Sequence, residues 1–168
     1  NEKNNYIMFP NIRSKKSFLY VLAFGSPIAF ATWQALLNNF VVEVANFSGR
    51  EIGILQSLRE IPGFLAFTVV FLLVYFRQQN FSALSLILLG IGTTITGFFP
   101  SFLGLYITTV LMSIGFHYLE TMQTSLSLQW LTKEEAPREL GKIISIRAAS
   151  TLGVLAIIYS VLMLFQTN

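Results

Sequence analysis

Five long apolar runs alternate with four short polar breaks along the chain. The runs predict helices at about 17–45, 49–76, 82–99, 102–131 and 137–165. Each is near or above the roughly 20 residues that cross a hydrocarbon layer. The breaks carry helix-end chemistry. Ser48-Gly49-Arg50-Glu51 reads as a capping box, a Ser followed three residues later by Glu. Pro100-Ser101 reads as a tight turn with Ser101 as a cap. Arg77-Gln78-Gln79-Asn80 is a short polar break, and Thr132 to Arg138 is a charged connector. A polar arm, residues 1–16, precedes the first run, and residues 166–168 end the chain. The first run is too long for a signal h-region and lacks a small-residue cleavage site, so it reads as a permanent span. Pro27 is expected to bend it.

Polar residues inside the runs are the second layer of pattern. In the fourth span His117, Glu120, Thr124 and Ser127 recur at helical spacing and form one stripe, with Gln123 beside it. The first span holds Ser26, Gln34 and Asn38 in line. The second holds Gln56 one turn before Glu60, with Arg59 next to it. Neighbours on a helix point about 100° apart, so Arg59 and Glu60 are expected not to face one spot, Glu60 being the better candidate for a cavity. The fifth span holds Arg147 about ten residues in, roughly 15 Å deep at 1.5 Å per residue. Antiparallel packing brings that depth level with Glu120 and Gln123. A Glu120–Arg147 ion pair, or a network shared with His117, is therefore predicted. Ionisable groups at membrane depth are rare and face protein or water. The plain alternative is that the two charges only neutralise one another and fix packing; His117 reads either as a proton relay or ligand, or as a satisfied interfacial histidine.

The third span carries no charge and is rich in Leu, Ile and Phe, so it is expected at the periphery, facing lipid. Its Gly90, Gly92 and Gly97 would allow close helix contact. The other four spans each have a wet face, which implies a shared polar cavity.

Composition agrees with a membrane class. Of 168 residues 54% are hydrophobic and 11% charged, with 16 Phe and no Asp, whereas soluble domains carry about 25% charge. Absence of Cys excludes disulfides and thiolate metal sites. With a single His and no Asp, a multi-ligand metal site or membrane enzyme centre has little to build on, so no catalytic residues, metal or cofactor are expected. The net charge of +3 does not form a nucleic-acid patch. Lys3, Arg13, Lys15, Lys16, Arg77, Lys133, Arg138 and Lys142 fall on one predicted side, against Arg50 on the other. The positive-inside rule then puts the N-terminus in the cytoplasm of a multi-pass protein of the cell (inner or plasma) membrane.

The order of features resembles the N-terminal half of a major facilitator superfamily transporter. FSGREIGILQSL, Phe47 to Leu58, looks like that family's start of helix 2, with Ile52-Gly53-Ile54 as its core. PRELGKIISIRAASTLGVL, Pro137 to Leu155, is similar to its helix 5, with Arg138, Gly141 and Leu152-Gly153. The family's loop signature between helices 2 and 3, Gly-x-x-x-Asp-Arg-x-Gly-Arg-Arg, is represented only by Arg77; Leu72, Phe76 and Gln79 stand at its Gly, Asp and second Gly positions. The Gly-Pro-rich antiporter pattern of helix 5 is also absent. The resemblance implies helices 1, 2, 4 and 5 around a central path, a six-helix half built from inverted repeats, and a sixth helix and C-terminal half beyond this sequence.

The leading functional expectation is a secondary transporter that moves a small solute by alternating access. Gln34, Asn38, Gln56, Glu60, His117, Glu120, Gln123 and Thr124 would line the path, and Glu120, Arg147, Arg59 and Arg77 would couple or gate it. Proton coupling, sodium coupling and facilitated movement all fit. The alternative is a non-transporting membrane sensor or assembly subunit. The expected partners are a small-molecule substrate, the lipid bilayer and the missing helices, with no nucleic acid.

Overall fold

The computed structural model describes residues 15–166. Lys3, Arg13 and the end of the chain at Thr167-Asn168 lie outside them. The described chain is helical, and five of its helical segments are long and apolar enough to cross a membrane: Lys15–Val44, Gly49–Leu72, Gln78–Thr96, Phe102–Trp130 and Ala136–Phe165.

Helix α1, Lys15–Asn39, runs on through Pro27. Its departure from α geometry comes later, in a π turn at Phe40–Val44. The Ala45 N–H closes that turn on the Phe40 carbonyl at 3.2 Å. Asn46 follows at φ 56°, a left-handed position that Asn tolerates better than most side chains. Helix α2, Gly49–Phe64, starts on Ser48, with both halves of the capping box formed. Ser48→Ala is expected to weaken the bundle by about 1 kcal/mol, read from SDS-driven unfolding.

The second span is not one α-helix to residue 76. It tightens to a 3-10 turn at Leu65–Thr68, resumes as α3, Val69–Leu72, and stops there. Just upstream, buried Pro62 lacks an N–H for the Leu58 carbonyl, and Gly63 follows it, so the α geometry is weakly supported there. Helix α4, Gln78–Thr96, begins four residues earlier than the apolar run suggests. Helix α5, Phe102–Trp130, is capped by the Ser101 hydroxyl, which accepts from the Gly104 N–H at 3.2 Å. Helix α6 is Ala136–Gln166, with Pro137 in its first turn.

Close packing centres on α4 and α5. Gly92 lies against the Met112 backbone, and Gly115 against the Leu89 backbone and the Ser85 carbonyl. The uncharged third span thus has two faces. Leu84, Ile87 and Ile91 point outward, while Ser85, Leu89 and Gly92 are buried on α5. Of the glycines expected to allow close contact, Gly90 and Gly97 have nothing within 4 Å of a would-be Cβ. The least covered helix is α6, not α4. It leans on α1 and barely touches α5.

The two ends of the bundle are chemically distinct. At one end Lys16 Nζ meets Glu135 Oε1 at 2.6 Å, the Tyr20 hydroxyl donates to Glu139, and Lys142 reaches Glu139 at 3.0 Å. Gln129 Nε2 donates to Gln78 Oε1 at 2.9 Å, and Phe18 packs edge-on against Trp130, with Lys15 over the same ring. These contacts gather the start of α1, the start of α4, the end of α5 and the start of α6. The hydrogen bond from Lys16 holds the Glu135 carboxyl below the usual carboxylate range. A depressed pKa means that this exposed pair contributes at neutral pH and is lost as the pH falls through the lowered value. At the other end Phe47 stacks on Phe102, and the Tyr106 hydroxyl donates to the Glu51 carbonyl. Lys15, Lys16, Arg77, Lys133, Arg138 and Lys142 therefore share one end of the bundle, and Arg50 sits at the opposite one.

Candidate functional site

The site forms where long polar side chains from different helices meet midway along the spans. Arg147 stands eleven residues into α6 and Glu120 ten residues before the end of α5. Arg147 Nη2 lies 2.6 Å from Glu120 Oε1, with the two side chains about one-third exposed. The pair is close in distance, yet that oxygen receives no aligned hydrogen bond. Long side chains make the contact although α5 and α6 scarcely pack against each other.

An open cleft of about 470 Å³ lies beside this pair, among α1, α5 and α6. Ser26, Gln34, Arg147 and Thr151 supply its polar lining, and Phe30 and Phe116 supply an aromatic wall. The two rings stack at 4.0 Å between centroids. Ser26 is fully buried and its hydroxyl has no partner. Each buried hydroxyl without a partner is unfavourable by about 1–3 kcal/mol.

A second cluster lies on the α2 side. Ser113 donates to the Arg59 carbonyl, and the Arg59 guanidinium sits 6.0 Å from the Trp33 ring centre. The His117 ring fills the space above Gly63, where an added Cβ would stand 2.7 Å from Cε1. Gly63→Ala is therefore expected to push the imidazole aside at a modest loss, because a side-chain end can rotate away and Ala gains helix propensity of up to about 1 kcal/mol. Most of that loss should vanish in a His117→Ala background, as a double-mutant cycle would measure.

Several expectations need revision. Arg59 and Glu60 do face one spot: Arg59 Nη2 is 2.5 Å from Glu60 Oε1. Their Cβ atoms diverge, but both side chains are long enough to bend back and meet. Glu60 is well exposed and does not line the α1–α5–α6 cleft; neither does half-buried Gln56. Asn38 is exposed one turn beyond Gln34. Arg77 is exposed at the N-cap of α4, in the polar break where the sequence places it. The stripe on α5 faces more than one environment. Thr124 is exposed, His117 and Glu120 are half-buried, and Ser127 is buried with its hydroxyl donated to the Gln123 carbonyl at 2.7 Å. Gln123 is buried, with neither amide atom partnered. At 100° per residue this set spans a wide arc, so its Gln123–Ser127 edge turns into the bundle.

The aromatic pair Phe30–Phe116 and the seat at Gly63 were not singled out by sequence. Pro62-Gly63 carried a signal for the latter. The former joins residues of two different spans and carried none. No protein-family model matches this chain, and no curated protein or solved structure does so either.

Proposed function

We propose that the chain is part of a secondary membrane transporter that carries a small solute by alternating access. The observation that carries this reading is the Glu120–Arg147 pair, set midway along two membrane-length helices and beside a cleft with polar lining. A guanidinium at that depth is costly unless it faces water, protein or a ligand. A pair needed only for packing would be expected between closely packed helices, whereas α5 and α6 are barely in contact. Resemblance to the first five helices of a major facilitator half-transporter fits the same reading, and so does the poorly covered face of α6. The basic end would lie in the cytoplasm by the positive-inside rule.

Reconstitution tests it. The longest native chain that carries this sequence would be placed in proteoliposomes loaded with pyranine and offered a panel of small organic solutes. Saturable solute uptake, lost in Arg147→Gln, is the expected result, with accompanying acidification if protons are coupled. Solutes that bind but never accumulate would instead indicate a sensor or an assembly subunit.

A further inference from the structure

The charge in the α1–α5–α6 cleft points to a chemical class of ligand. Among its lining residues Arg147 is the charged group, and no acid is among them. Glu120 touches the guanidinium through Nη2 from outside the lining. An arriving anion therefore meets the positive end of the pair. Guanidinium offers five N–H donors in a planar fork that suits a carboxylate. Gln34 and Thr151 add neutral polar groups to the lining. The stacked Phe30 and Phe116 rings give part of the lining an apolar character that suits a flat or aliphatic body. A volume of about 470 Å³ is at the small end of the range typical of small-molecule pockets, about 300–1,000 Å³.

Resting on the transport reading for its biological sense, we infer that this cleft binds a small organic monocarboxylate. The carboxylate lies on the Nε/Nη1 side of Arg147, with its tail against Phe30 and Phe116. Glu120 keeps Nη2 and orients the fork, so it is a positioning residue.

Radiolabelled benzoate, binding to the full chain in nanodiscs, is the probe. Saturable binding is expected, with unlabelled benzoate at least tenfold stronger as a competitor than the neutral isostere benzamide or the cation benzylamine. Arg147→Gln should weaken binding at least tenfold, and so should Glu120→Gln/Arg147→Gln, which removes both charges and leaves none unpaired. Glu120→Gln alone should bind benzoate at least as tightly as the parent but respond differently to the benzoate analogue phenylphosphonate, because the fork is no longer held on one side. No saturable binding, equal competition by benzamide, or a folded double variant that binds like the parent would overturn the assignment. Benzoate that binds but is never carried in proteoliposomes would sink the transport reading while this site stands. Flux of other solutes without benzoate binding would do the reverse.

Discussion

Glu120→Gln and Arg147→Gln, made singly, are each expected to destabilise the bundle by about 1–3 kcal/mol, while the double variant returns most of the loss. Removing one member of a fully buried ion pair is unfavourable by about 3–5 kcal/mol, because the other charge is left without compensation. Here both side chains are about one-third exposed, so the smaller range applies. A double-mutant cycle in SDS unfolding measures the coupling. Additive losses would mean that the two groups do not pair in the membrane.

The second large effect belongs to the α4–α5 seam. Gly115→Ala puts a Cβ against the Leu89 nitrogen and 2.8 Å from the Ser85 carbonyl oxygen. Those are backbone atoms and cannot rotate aside, so the helices must separate. The expected loss is about 1–3 kcal/mol from overpacking, and more for Gly115→Leu. Gly92→Ala, which meets the Met112 backbone at 2.6 Å, should behave alike. Gly90→Ala is the internal control: it meets nothing within 4 Å and gains helix propensity of up to about 1 kcal/mol. Thermal unfolding that ranks Gly90→Ala above the parent and Gly115→Ala well below it would bear out this seam. Separation here also shifts Phe116 and Glu120 on α5, so ligand binding should fall together with stability.

Much of the helical layout was legible because span length and helix caps are local. Ser48 and Glu51 are three residues apart, and their capping box forms as the spacing suggests. Depth counting is nearly local too, since each span has a fixed rise per residue, and it brought Glu120 and Arg147 to the same level. What sequence could not supply was which faces meet. The lack of charge in α4 suggested a peripheral helix, but small residues let it approach α5 more closely than any other helix does. The clamp between Tyr20 and Glu139 joins residues 119 apart. Helical periodicity places Gln34 on a polar line but does not say that α6, rather than α2, supplies the facing wall. Cβ direction misled at Arg59 and Glu60, where the flexible ends of the side chains decided the contact.

A polar path midway through the bundle is the central claim, and the chain's lack of cysteine makes it directly testable by single-cysteine labelling. Thr151 lines the cleft, whereas Leu152, next to it on α6, is exposed and not part of the lining. One residue of rise, about 1.5 Å, separates their depths, so the two positions differ in the face they present. In proteoliposomes the membrane-impermeant anion 2-sulfonatoethyl methanethiosulfonate should modify Thr151→Cys at least tenfold faster than Leu152→Cys, and benzoate should slow the former reaction. Equal rates at the two positions, or no reaction at Thr151→Cys from either side of the membrane, would contradict a water-accessible path through the α1–α5–α6 cleft.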